Sequence, residues 1–319
     1  MLVTICLFVG IMFLVVGTSI MIEGLKDISN RFHNSTLATG LTVVAFATSV
    51  PELLVSFRAI TKGYSDLVIF NVIGSNIINI LLILSIVSFI KPLKITTSVI
   101  KKELPLSIFV TGLFLILSLD DLFVKGANNI LSRSDALVLI LFFGIYLYYM
   151  YTVIKTRKDY KTYEAPKYSK GYAIFTSILG FSMIFVGSIF TVDMAYKISM
   201  LGISMKVLSA SLIAFATSIP EIITCYHFMK NNDEDAIIGN ILGSNIFNIC
   251  ITLALPVIIV GNLNMNGMSI IDAINLIIAT LMLIIFAPIR NKIGKFESTI
   301  MILILLIYYG FILWEGFSL

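Results

Sequence analysis

Two segments of this chain each occur twice, at one fixed separation. AFATSVPE (45–52) returns as AFATSIPE (214–221), and NVIGSNIINI (71–80) returns as NILGSNIFNI (240–249). Glu52 and Glu221, Ser75 and Ser244, and Asn79 and Asn248 are each 169 residues apart. One offset shared by two distant segments means that a long unit was duplicated. The chain must therefore fold as two related halves. A weaker echo, Gly17-Thr18-Ser19 and Gly187-Ser188-Ile189, lies at an offset of 170.

What surrounds the repeats is apolar. Of 319 residues 58% are hydrophobic and 13% charged, where an ordinary soluble domain carries about 25% charged residues. Mean hydropathy is +1.02. A charged skin for a soluble fold of this size is missing. The same figures exclude disorder, nucleic-acid binding and a secreted disulfide scaffold. Cys6, Cys225 and Cys250 are odd in number and sit in apolar stretches, so they read as core thiols. His33 and His227 read as incidental, which argues against a zinc or copper centre.

A hydrocarbon core about 30 Å thick takes roughly 20 apolar residues per helix. Ten candidate spans follow: Met1–Ile22, Leu37–Ile60, Leu67–Ile90, Leu104–Leu119, Ala136–Ile154, Tyr172–Val192, Val207–Met229, Ala236–Val260, Met268–Pro288 and Ser298–Trp314. Met1–Ile22 lacks a basic leader and a small-residue cleavage site, so it reads as a span and not a signal peptide. Between the copies of each motif lie five spans, an odd number, so the second half enters the membrane from the opposite face. The expected fold is an all-α membrane protein of ten transmembrane helices in two inverted five-helix repeats, with helices broken at the midplane. The repeats divide as 1–160, with the connecting loop, and 161–319.

Lysines and arginines set the orientation. Six lie on the side of the N-terminus and sixteen, including Lys91, Lys94 and Lys230, on the other. The positive-inside rule makes the second side cytoplasmic, with both termini outside. Trp314 fits an interfacial anchor. The expected setting is multi-pass in the cell membrane, with the lipid bilayer as partner, no nucleic acid and no obligate protein partner.

Glu52 and Glu221 fall midway along apolar spans. A carboxylate at that depth is costly and marks a functional site by default. Pro51 and Pro220 precede them; having no N–H, these prolines remove the helical donors of the Ala47 and Ala216 carbonyls. Broken backbone at membrane depth is tolerated where it lines protein or a cavity. Thr48, Ser49, Thr217 and Ser218 cluster at the breaks. Thr48 and Glu52 share a helix face, as do Ser75 and Asn79, Thr217 and Glu221, and Ser244 and Asn248. Each half thus offers one carboxylate, hydroxyls, carbonyls and an amide oxygen. These hard oxygen ligands suit Ca²⁺ and Na⁺. Two carboxylates neutralise one Ca²⁺. Gly74 and Gly243 let the helices approach closely.

The paired TSxPE and GSNxxN segments resemble the two alpha-repeats of the cation/Ca²⁺ exchanger superfamily, in particular its Na⁺/Ca²⁺ exchanger branch. The resemblance covers the whole chain. It implies a non-enzymatic antiporter that exchanges Na⁺ for Ca²⁺ by alternating access, electrogenically, with the two ions competing for overlapping sites and no cofactor. It makes Glu52 and Glu221 the central Ca²⁺ ligands, with main-chain oxygens of Thr48 and Thr217. It groups Ser75, Thr48, Ser49 and the Ala45 carbonyl as one Na⁺ site, and Ser244, Thr217, Ser218 and the Ala214 carbonyl as its mirror. Asn79 and Asn248 fall between them. H⁺-coupled or K⁺-dependent exchange on the same fold is the alternative. A passive channel would be told apart by currents far above transporter rates. An intramembrane protease would need Ser with His or Lys, or paired aspartates, at membrane depth, and the sequence shows no such set.

The chain departs from the family pattern in three places. Ala47 and Ala216 stand where Gly or Ser is common, Phe70 stands where Gly is usual, and Asn248 is Asp in many relatives. No regulatory insert follows span five. Asp120, Asp121 and Asp272 read as solvated caps at span ends. Glu23 and Asp193, at equivalent ends of spans one and six, are candidates to line an access route.

Overall fold

A computed structural model describes residues 2–31, 43–96, 99–156, 165–290 and 292–317. The boundary between the two expected repeats, His33 and the start of the second expected span (37–42) lie outside the described residues. The rest is helical. The elements are α1 (Leu2–Arg31), α2 (Ala45–Thr48 and Val50–Thr61), α3 (Ser65–Ile90), α4 (Leu104–Ser118), α5 (Arg133–Thr156), α6 (Lys170–Ser199), α7 (Met205–Lys230), α8 (Glu234–Val260), α9 (Ile270–Arg290) and α10 (Lys295–Phe317). Among the described residues seven helices, α1, α3, α5, α6, α7, α8 and α10, are long and apolar enough to cross a membrane. The apolar part of α9, Ile270–Phe286, is shorter. So is α4 with 15 residues, though the π-helical turn Val99–Glu103 runs directly into it.

The most apolar stretch of α3 is 94% buried, against 39% for α1 and 33% for α6. The bundle is therefore built around α3 and α8, with α1 and α6 on its flank. The last two pack against each other antiparallel. Gly10 meets Thr191, Gly17 meets Gly180, and Gly24 meets Ala173. A Cβ on Gly17 would stand 2.8 Å from the Gly180 carbonyl oxygen. Without those methyl groups the two backbones can lie in contact. Both helices run to 30 residues, and α6 continues beyond the expected Val192. Asp193 is accommodated there because Arg58 of α2 donates to both its carboxylate oxygens, at 2.7 and 2.8 Å.

The site-bearing helices break where the repeats lie. In α2, Ala45–Thr48 stops at Ser49 (φ −89°, ψ 3°) and the helix restarts at Val50, with Pro51 in its first turn. In α7, Ala214–Thr217 stops at Ser218 (φ −83°, ψ 0°) and restarts at Ile219, with Pro220 in its first turn. A first-turn proline loses no helical bond, because that N–H has no partner anyway. The Ala47 carbonyl lacks an i+4 donor, as Pro51 requires, and the Ala45 carbonyl named by the resemblance accepts from Ser244 Oγ at 3.4 Å. Ser49 N–H bonds Phe46 O at 3.2 Å, one residue short of Ala45. The second half differs, since Ser218 N–H keeps Ala214 O at 3.1 Å.

Just after the second motif of each half, the helix widens to π geometry, at Asn79–Leu84 in α3 and Asn248–Leu253 in α8. Such bulges concentrate at functional sites. Four two-residue strands, which the sequence gave no reason to expect, tie the halves together: β1 (Leu93–Lys94), β2 (Ile130–Leu131), β3 (Leu263–Asn264) and β4 (Lys292–Ile293). β1 pairs with β4 and β2 with β3, both antiparallel.

Candidate cation site

All twelve residues picked out from the sequence, Ala45, Thr48, Ser49, Glu52, Ser75, Asn79, Ala214, Thr217, Ser218, Glu221, Ser244 and Asn248, have no solvent exposure. Ala45, Thr48, Ser49, Ser75, Ala214, Thr217, Glu221 and Ser244 contact one another around the breaks of α2 and α7, while Asn79 and Asn248 bond the crossing asparagines of α3 and α8. Ser49 Oγ and Ser244 Oγ lie 3.3 and 3.4 Å from Glu221 Oε1. The same two hydroxyls lie 3.5 and 3.4 Å from the Ala45 carbonyl oxygen. Across the site Ser75 Oγ and Thr217 Oγ1 are 3.5 Å apart, and Thr217 Oγ1 is 3.5 Å from Asn71 Oδ1.

These spacings are long for hydrogen bonds, since O–H···O contacts cluster near 2.7–2.8 Å. Oxygens sharing a hard cation stand at similar distances. An octahedron with metal–oxygen distances of about 2.4 Å, within the Ca²⁺ range, has edges of about 3.4 Å. Both oxygens of Glu52, Glu221 Oε2, Ser218 Oγ and Asn79 Oδ1 are buried without a hydrogen-bond partner among the described residues. Buried carboxylate oxygens left so are expensive unless a cation completes them. No group of three or more His, Cys, Asp or Glu occurs among the described residues. The set is two carboxylates supported by hydroxyl, amide and main-chain oxygens, which is hard-ion chemistry.

Within each half Thr48 and Ser49 donate to the Ala45 carbonyl and Thr217 to the Ala214 carbonyl, and further contacts cross between the halves. Ser244 of the second half joins Ala45 and Ser49 of the first, and Ser75 of the first joins Thr217 of the second. α3 and α8 cross between the halves, so each delivers its serine to the other half's break.

The asparagines show how the crossing is held. Asn76 Nδ2 donates to the Asn245 carbonyl at 3.3 Å, and Asn245 Nδ2 to the Asn76 carbonyl at 3.1 Å. Asn79 Nδ2 donates to Asn245 Oδ1 at 2.9 Å, and Asn248 Nδ2 to Asn76 Oδ1 at 3.2 Å. Each bond has its counterpart 169 residues away. Asn71 Nδ2 supports the Glu52 carbonyl and Ser56 Oγ, both at 3.2 Å; its counterpart Asn240 reaches Cys225 Sγ at 3.6 Å. Sequence reasoning passed over Asn71, Asn76, Asn240 and Asn245. Their signal was available, because all four lie inside the duplicated segments.

The other acids sort differently. Asp120 Oδ2 and Asp121 Oδ1 cap the main-chain N–H groups of Ile130 and Gly126, as expected of loop carboxylates. Asp272 is not a solvated cap. It is fully buried, accepts from Ser269 N–H at 2.8 Å, and is bridged at 2.7 Å by Lys206 Nζ, which also holds Glu315. Lys206 lies 4.8 Å over the ring of Phe70, the residue in the glycine position, so the extra side chain is seated by a cation–π contact.

The apolar spans and the packed helices define a helical, multi-pass membrane protein whose two broken helices face a buried set of oxygen atoms. Sequence comparison makes the assignment specific. The family description "Sodium/calcium exchanger protein" matches residues 2–152 and 172–314. The chain belongs to this family, which is one of transporters. It is 30% identical to inner membrane protein YrbG of Escherichia coli (strain K12) over 81% of this chain and 80% of that one. It is 26% identical to sodium/calcium exchanger MaX1 of Methanosarcina acetivorans, over 93% of this chain and 94% of that one. Among solved structures, the sodium-calcium exchanger NCX_Mj soaked with Na⁺ and Sr²⁺ superimposes with a TM-score of 0.69 and 29% identity, covering 97% of this chain and 98% of that one.

Proposed function

We propose that this chain is a secondary antiporter exchanging Na⁺ for Ca²⁺ across the cell membrane by alternating access. Ten spans form two inverted five-helix halves, both termini face outside, and the division falls near residue 160. The observation that carries the reading is the oxygen cage. Glu221 Oε1, Ser49, Ser244 and Ala45 O stand at 3.3–3.5 Å in cation-polyhedron spacing, beside a Glu52 carboxylate with no hydrogen-bond partner among the described residues. Glu52 and Glu221 bind Ca²⁺, with Thr48 and Thr217. Ala45, Ser49 and Ser244 with Glu221 form one Na⁺ pocket. Ser75 and Thr217, with Ala214 and Ser218, form the other, and Asn79 and Asn248 lie between.

Two carboxylates balance one Ca²⁺ or two Na⁺. A third Na⁺ leaves the loaded carrier positive, which makes the exchange electrogenic. Purified protein in proteoliposomes, given an outward Na⁺, K⁺ or H⁺ gradient alone, should take up Ca²⁺ only with Na⁺. Uptake should rise or fall with a potential clamped by a K⁺ ionophore. Uptake driven by H⁺ without Na⁺ would overturn the coupling; indifference to potential would overturn the electrogenic stoichiometry alone.

A further inference from the structure

The second halves of α3 and α7 run side by side and leave a groove of about 200 Å³ between them, away from the cation site. Ile83, Ile86 and Ile90 form one wall, and Ile222, Tyr226 and Met229 the other. Both sets follow the three-and-four spacing of a helix face, and no polar surface lines the groove. At one end each wall runs directly into a lysine, Lys91 after Ile90 and Lys230 after Met229. Neither pairs with a carboxylate among the described residues. Lys91 Nζ donates to Asn232 Oδ1, and Lys230 Nζ lies 4.7 Å over the Tyr226 ring. In the adjoining turn Asp233 accepts from the main-chain N–H of Ala236, and Glu234 from that of Lys94.

The duplication makes these lysines conspicuous. Their counterparts 169 residues away are Val260 and Thr61, so neither lysine position is basic in the other half, where only Lys62 lies beside the equivalent place. The lysines are therefore not part of the repeated transport architecture. They stand on the side that the Lys and Arg balance makes cytoplasmic, where anionic lipids give the leaflet its negative surface.

We propose that this groove binds an anionic phospholipid, with an acyl chain between the isoleucine wall of α3 and the α7 wall, and the headgroup phosphate between Lys91 and Lys230. An apolar slot closed by two cations without carboxylate partners is complementary to an amphiphile with one negative end. A zwitterionic lipid fits the slot but gains no net attraction at the rim.

The test is native mass spectrometry of protein released from bilayers of equal phosphatidylcholine and phosphatidylglycerol. Wild type should retain one phosphatidylglycerol after phosphatidylcholine has been stripped. The double variant Lys91→Gln/Lys230→Gln should lower that retention by about tenfold or more, since each near-surface lysine contributes on the order of 1 kcal/mol. Ile86→Trp, which fills the slot, should lower it too, while Lys62→Gln/Lys125→Gln should not. Equal retention of the two lipids, or unchanged retention in the Lys91/Lys230 double variant, overturns the proposal. So does a dimer peak that Ile86→Trp abolishes, since a second copy would then occupy the groove. Both lysines are at the molecular surface, so their substitution keeps the test decisive even if Ile86→Trp fails to fold. Lipid retention is read without transport, so its failure leaves the exchange reading untouched.

Discussion

Glu52 and Glu221 are the two acids whose replacement should matter most to transport. Gln conserves volume and removes one of two fixed charges. At an effective dielectric near 20, one unit charge against a divalent ion at about 2.5 Å is worth roughly 13 kcal/mol of bare Coulomb energy, most of it cancelled by desolvation. Since about 1.4 kcal/mol is tenfold in affinity, a small surviving fraction is enough. Glu52→Gln and Glu221→Gln should each raise the Ca²⁺ concentration for half-maximal Na⁺-driven uptake by at least about 100-fold, whereas Asp120→Asn should leave it unchanged. Lys206 and Asp272 make the opposite kind of prediction. This buried pair is 2.7 Å long, with Lys206 near the start of α7 and Asp272 at the start of α9. Removing one partner strands a buried charge, at a cost of about 3–5 kcal/mol. Lys206→Met should lower the melting temperature in detergent sharply, and Lys206→Met/Asp272→Leu should recover most of it. A double variant no more stable than the single would show that packing, and not the stranded charge, sets the loss.

At the scale of elements, the contact between α1 and α6 depends on absent side chains. Gly17 and Gly180 face each other so closely that each Cβ would strike the other's backbone. Gly17→Val should separate the helices and lower thermal stability by several degrees. Gly112 of α4 has open space where its Cβ would go. Gly112→Ala should be neutral or slightly stabilising, because alanine is the better helix former by about 1 kcal/mol. If both behave alike, the close approach is not what holds the flank. The helix breaks were partly legible in the sequence. Pro51 and Pro220 marked where α2 and α7 interrupt, and the resemblance named the Ala45 carbonyl, but neither showed how the chain frees it. That depends on Ser49 N–H turning to Phe46, a local choice of three-residue over four-residue closure that composition does not encode.

For the whole molecule, the balance of sixteen Lys and Arg against six makes a statement about sidedness. In a Cys6→Ser background, Lys230→Cys should react with a membrane-impermeant maleimide only from the cytoplasmic side, because Cys225 and Cys250 are buried. Labelling from outside would reverse the assigned orientation.

The sequence by itself determined the membrane setting, the duplication and the set of twelve buried residues proposed as the site. Those follow from local quantities: apolar length, an invariant offset of 169, and oxygen-bearing side chains four apart on one helix face. The tertiary structure decided which residues of one half meet the break of the other. Ser244 reaches Ala45 and Ser75 reaches Thr217 because α3 and α8 cross, bound by the reciprocal Asn76 and Asn245 amides. It also decided that Asp272 is buried, since Lys206 arrives from 66 residues away to neutralise it. The physical reason is the same in each case. A periodicity fixes which face of a helix a residue occupies, but the partner opposite that face belongs to another helix, and only packing brings the two together.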